Sequence, residues 1–196
     1  MKKLLLSLLG LAATGVSYGQ CPLTGPATLP YIQNFNSVSG YTQNDTIFMC
    51  EPSARWEFQS PGTNAEFYMG RPSSTGGPQS DFQGVSLAMS SAADADTANI
   101  ILTIDLSNIT ASAPEDIWLN FYYADYADEV DAADQISVRG SNSDTWVDLI
   151  NWSSGASNDW QIGRYKLDSI FTANGQSFSA TTQVKFTQND NATVTG

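Results

Sequence analysis

The chain has 196 residues, contains no histidine and only two cysteines. Without imidazole there is no Ser-His-Asp or Cys-His relay and no His-ligated zinc, and two thiols are too few for a thiolate metal site. Positive charge is scarce as well: eight Lys and Arg stand against 20 Asp and Glu, a formal net charge of −12. So acidic a surface repels polyphosphate and anionic headgroups at any distance inside the Debye length, which argues against nucleic acid as a partner. No apolar run approaches the ~20 residues needed to span a bilayer, so no membrane insertion is expected. A phosphate-binding loop is missing too, since Gly76-Gly77 is followed by neither Lys-Ser/Thr nor a helical pattern. Any catalysis would have to rest on carboxylates.

The first residues have the composition of an export signal. Lys2 and Lys3 form a basic start, Leu4 to Val16 an apolar stretch, and Ser17-Tyr18-Gly19 a small-residue cleavage pattern. Residues 1–19 are therefore expected to be a bacterial-type signal peptide, and residues 20–196 one secreted domain, extracellular or at the cell surface. Cys21 sits where a lipid-anchored cysteine would, but Tyr18 and Gln20 fit a lipoprotein signal poorly. In an oxidising compartment Cys21 and Cys50 most simply pair, closing a loop of about 30 residues that stabilises by roughly 3 to 4 kcal/mol in the chain-entropy model. Loss of Lys2 and Lys3 makes the exported chain more acidic, with 6 cations (8 − 2) left against 20 acids. Divalent cations then become natural partners.

Beyond that point the chain shows short alternating apolar runs separated by Gly, Pro, Ser, Asn and Asp, with no heptads, no long amphipathic helix and no repeat of fixed period. The pattern predicts an all-β protein, an antiparallel β-sandwich. Strands are expected at 55–58, 65–69, 84–89, 99–106, 117–124, 135–139, 145–151, 160–168 and 179–187. In NIILTIDL, Ile100, Leu102, Ile104 and Leu106 share one face, expected to meet the core, while Thr103 and Asp105 take the other. IWLNFYYA sets Ile117, Leu119, Phe121 and Tyr123 against Trp118, Asn120 and Tyr122, so aromatic matter on both faces predicts a central strand. Pro61-Gly62, Gly76-Gly77-Pro78, Asn142-Ser143-Asp144 and Asn174-Gly175 mark the reversals.

Two segments in order resemble a known group. GVSLAMSSAADADTANIILTIDLSNI, and then DIWLNFYYADYADEVDAADQISVRGSNSDTWVDLINW with its D-x-I-x-V strand (Asp134, Ile136, Val138) and W-x-x-L hairpin (Trp146, Leu149), are similar to MAM-type and reelin-like jelly-roll domains. WQIGRYKLD and TTQVKFTQND look like the next two strands of those domains, so the resemblance covers roughly residues 84–190. LPYIQNFNS and Arg55-Trp56-Glu57-Phe58 match the opening of the group more loosely. Members continue into a D-G-x-x-x-D-D-I closing strand that the 196 residues do not contain, so the resemblance implies a jelly roll cut before its last strand. It also implies a secreted bacterial module, part of a larger extracellular protein, that serves adhesion or binds a glycan or protein surface.

Between two strand-like runs lie five acidic residues, Asp125, Asp128, Glu129, Asp131 and Asp134. Calcium takes six to eight hard oxygens in flexible geometry, and the aspartates recur at intervals of three that a curled loop can turn towards one point. Asp125, Asp128, Asp131 and Asp134 are therefore candidate Ca²⁺ ligands, and related jelly rolls often hold calcium. The order D-x-D-x-D-G of an EF-hand is absent. The same loop supports a second reading, because Glu129 to Asp134 is one residue away from the E-x-D-x-x-E signature of a jelly-roll family of retaining β-glucanases. Glu129 and Asp134 would then be a catalytic pair, which needs carboxyl groups about 5 to 5.5 Å apart. Residues five apart on a regular strand face opposite ways, so the pair would require a bulge. Among the five tryptophans, Trp56 and Trp146 are expected in the core and Trp152 exposed, where an indole offers its apolar face to a sugar ring. The leading expectation is thus a non-catalytic binding or adhesion module. A carboxylate-dependent glycoside hydrolase and a structural spacer are the alternatives.

Overall fold

The structure is a computed structural model that describes residues 22–32, 40–43, 47–59, 65–70, 86–91, 97–109, 116–123, 134–151 and 161–189. These form eleven strands and one short helix. In chain order they are β1 (Gly40–Gln43), β2 (Ile47–Cys50), β3 (Ala54–Gln59), β4 (Ala65–Gly70), β5 (Ser86–Ser91), β6 (Thr97–Ile104), β7 (Trp118–Tyr123), β8 (Gln135–Arg139), β9 (Val147–Asn151), β10 (Gln161–Lys166), α1 (Leu167–Ala173) and β11 (Thr182–Asn189). Every pairing is antiparallel, in a six-stranded sheet of order β2-β3-β6-β11-β8-β9, a three-stranded sheet β1-β4-β5 and a two-stranded sheet β10-β7. The protein is an all-β sandwich, as the alternation predicts.

The six-stranded sheet supplies most of the core. Its register places Trp56, Leu102, Val184 and Val138 in one row and Phe58, Ile100, Phe186 and Ile136 in the next. All are buried except Phe186, which packs on the cluster from its rim. From the opposite layer Leu119 and Phe121 of β7 pack on this face, with the Phe121 and Phe186 rings edge to face at 5.6 Å. Removing such a side chain from water stabilises by roughly 1.5 to 3 kcal/mol.

On β6 the structure corrects the simple alternation. Ile100, Leu102, Ile104 and Leu106 do lie in the core cluster, but Thr103 and Asp105 are buried as well. Thr103 is central in the sheet and is covered by its neighbours; its Oγ1 accepts from Gln183 Nε2 at 2.8 Å. The Asp105 carbonyl takes the Ala27 amide at 2.8 Å, tying residues 22–32 to the sheet. Trp56 is buried as expected, and its Nε1 donates to the Tyr31 hydroxyl at 3.0 Å. Trp146 is only half-buried; the Arg139 guanidinium lies 4.2 Å and the Lys185 ammonium 4.7 Å from its ring centroid.

A second correction concerns residues 160–168. The strand stops at Lys166, and Leu167 to Ala173 form a helix because Leu167, Ile170 and Phe171 stand at helical spacing and face the core together. Asn174-Gly175, expected as a reversal, is its C-terminal cap. Gly175 has φ +66°, and the Gln176 amide returns to the Phe171 carbonyl at 2.8 Å.

Candidate functional site

The two-stranded sheet carries the most exposed aromatic surface among the described residues. Along β7 the side chains alternate, with Leu119 and Phe121 turned to the core and Trp118, Asn120 and Tyr122 turned out. β10 continues the outward face: Lys166 pairs with Trp118, Arg164 with Asn120 and Ile162 with Tyr122. Trp118 is 47% exposed, Tyr122 57% and Ile162 61%.

The polar members of this face hold one another in place. Arg164 Nε donates to Asn120 Oδ1 at 3.2 Å, and its guanidinium stands 5.9 Å from the Trp118 ring centroid, within reach of a cation–π attraction. Lys166 Nζ pairs with Asp116 Oδ1 at 2.5 Å and more loosely with Asp168 Oδ2 at 3.6 Å. The hydrogen bond that Lys166 donates to Asp116 is the main reason the Lys166 pKa rises above its ordinary value; partial desolvation opposes it, and the charges of Asp116 and Asp168 add to it. On the inner side, Gly163 lies directly opposite Phe121, whose ring lies over the glycine where a Cβ would otherwise stand. Phe121 in turn stacks on Tyr165 at 6.1 Å. Burial, followed by the neighbouring Tyr123, raises the Tyr165 pKa. An aromatic and a glycine facing each other across strands fix the pair and hence the outward row.

What the row offers chemically is two flat apolar faces with amide and guanidinium donors between them. Sequence reading placed Trp118 and Tyr122 on a central strand and looked to Trp152 for an exposed indole. Among the described residues β7 pairs with β10, and its outer face is turned to solvent. Asn120 between the two aromatics was the available signal, since a buried central strand rarely carries an amide there.

Of the acidic loop, Asp134 alone lies among the described residues. It precedes β8, is 3% exposed, and its Oδ1 accepts the Asn189 amide at 2.6 Å, a charge-assisted bond that fastens the start of β8 to the end of β11. Asp125, Asp128, Glu129, Asp131 and Trp152 lie outside the described residues, as does Cys21. No group of three or more metal-ligating side chains occurs among the described residues. Cys50, at the end of β2, is not a free thiol. No described helix is long and apolar enough to cross a membrane.

No protein-family model matches the chain, and neither curated proteins nor solved structures give a match.

Proposed function

We propose that the protein is a secreted, non-catalytic binding module, a jelly roll of the MAM-like and reelin-like kind, that adheres to an extracellular glycan. The observation that carries this reading is the outward row Trp118, Asn120 and Tyr122, continued by Ile162 and Arg164. An exposed indole and phenol held on a sheet are pre-organised, so little ordering entropy is lost when a sugar ring stacks on them.

The shape of the sheet supports the same choice of partner. Two strands of six residues make a face of roughly 20 Å by 10 Å, or about 200 Å², whereas a stable protein interface needs about 800 Å² from each partner. Calcium enters as a stabilising ion of the acidic loop, bound by Asp125, Asp128, Asp131 and Asp134, with Asp134 anchored at the base of β8. A Cys21 to Cys50 disulfide would tie the N-terminal segment to β2.

Retention on a panel of insoluble glycans, compared with the Trp118→Ala variant, tests the reading. Because Trp118 is half-exposed, its loss should leave the thermal midpoint within about a degree while weakening retention about tenfold or more. Equal retention of the parent and the variant, or no retention on any glycan, would remove the support for a glycan module.

A further inference from the structure

The outward face of β7 and β10 also limits which glycan it can take; this step rests on the glycan-binding reading just given. Trp118 and Tyr122 are four residues apart on one strand, which sets their Cα atoms about 13 Å apart. A single pyranose ring does not span that distance. A chain of sugars running along β7 does, with one ring on the indole, another on the phenol, and the intervening hydroxyls opposite Asn120 and Arg164.

Charge decides between neutral and acidic chains. The protein carries 20 acidic residues against 8 basic ones. Of the two cations on this face, Lys166 is already neutralised by Asp116 and Asp168, and Arg164 is held to Asn120. One guanidinium does not compensate a carboxylate on every sugar of a polyuronate against that net charge. Guanidinium and amide groups instead suit hydroxyl recognition, in which several neutral acceptors share fixed donors. We infer that the face formed by Trp118, Asn120, Tyr122, Ile162 and Arg164 is an extended subsite for a neutral polysaccharide chain of at least three sugars, running parallel to β7.

The test is calorimetric titration of the purified protein with a graded series of neutral oligosaccharides of the linkage retained in the panel, from one to six sugars. Polygalacturonate and alginate serve as acidic arms, and each titration is repeated in 0.05 and 0.5 M salt. The expected result is affinity that climbs between one and about four sugars and then levels. Binding should change less than about twofold with salt, and Trp118→Ala and Tyr122→Ala should each weaken it about tenfold while leaving the thermal midpoint unchanged. Tighter binding of the acidic arms, collapsing at high salt, would overturn the neutral assignment and leave the glycan module standing. Saturation by a monosaccharide, or a Tyr122→Ala variant that binds like the parent, would overturn the extended subsite. Absence of heat with every saccharide would overturn both readings.

Discussion

Replacing Gly163 by alanine is the sharpest probe of how the outward face is held. A Cβ at this position would meet several ring carbons of Phe121, including Cε2 at 2.5 Å and Cε1 at 2.6 Å, well inside van der Waals contact. The ring cannot simply swing aside, because it is wedged among Tyr123 at 5.7 Å, Tyr165 at 6.1 Å and the edge of Phe186 at 5.6 Å. Forcing one extra methyl into a packed core costs about 1 to 3 kcal/mol. The better strand propensity of alanine returns roughly 0.5 to 1 kcal/mol of that. The net cost is then up to about 2.5 kcal/mol, and since a domain of this size loses about 2 to 4 °C per kcal/mol, Gly163→Ala should lower the thermal midpoint by up to roughly 10 °C. Circular dichroism melts of the parent, Gly163→Ala, Phe121→Leu and the double variant form a cycle. If the clash is with the ring, the cost of the alanine nearly disappears in the Phe121→Leu background, a coupling of about 1 to 3 kcal/mol. An alanine penalty of equal size in both backgrounds would refute the argument that the aromatic and the glycine are matched across the strands.

Gln183→Leu should cost about 2 to 3 kcal/mol in urea denaturation, because it leaves buried Thr103 Oγ1 without its donor and Arg139 Nε without the acceptor at 2.6 Å. Burial lowers the Lys185 pKa below its ordinary 10.5; Asp148 opposes the shift and Arg139 adds to it. Between the folded and unfolded values the unfolded chain binds more protons, so this group's contribution to stability is least below the folded pKa and rises as pH climbs towards 10.5. The stability gap between Lys185→Met and the parent should therefore move in the parent's favour from pH 7 to pH 10, and a gap that stays constant would count against it. Calcium at 100 times its dissociation constant should add about 2.7 kcal/mol to the unfolding free energy relative to EDTA, with magnesium as control. A rise that survives in a variant lacking Asp125, Asp128 and Asp131 would remove the acidic loop as its source. Reduction should lower stability by roughly 3 to 4 kcal/mol if the loop of about 30 residues is closed by Cys21 and Cys50, and peptide mapping of the unreduced protein identifies the bridge directly.

Alternation alone located most of the strands, because side-chain direction in a strand has a period of two and a sandwich buries one face of each. Gln135–Arg139 was placed to the residue, and Ala54–Gln59 and Trp118–Tyr123 to within one or two. Gly40–Gln43 and Ile47–Cys50 escaped notice because four residues give too few alternations to stand out from loop sequence. Leu167 and Asp168, the first residues of the helix Leu167–Ala173, were expected to end a strand, and one turn of helical spacing at Leu167, Ile170 and Phe171 is too short to stand out until the core is present. The candidate site divided in the same way. Exposed aromatics were anticipated as a chemistry at Trp152, which lies outside the described residues; among the described residues the fold presents Trp118 and Tyr122.

Composition by itself excluded some chemistry: 196 residues without histidine and with two cysteines hold no imidazole relay and no His-ligated or all-thiolate zinc centre, and the large excess of acid argues against polyphosphate as a partner. Period-two patterning settled that the chain folds as an all-β sandwich. Which face of β7 sees solvent was decided only by tertiary structure. WLNFYY carries aromatic residues on both sides, and Asn120 alone distinguishes the outward one. Packing of the β7–β10 layer on the six-stranded sheet turned Phe121 onto Gly163 and Phe186 and left Trp118, Asn120 and Tyr122 facing out. The same holds for Asp134, legible as an acidic residue beside a strand, whose bond to the Asn189 amide depends on two segments 55 residues apart meeting in the sheet.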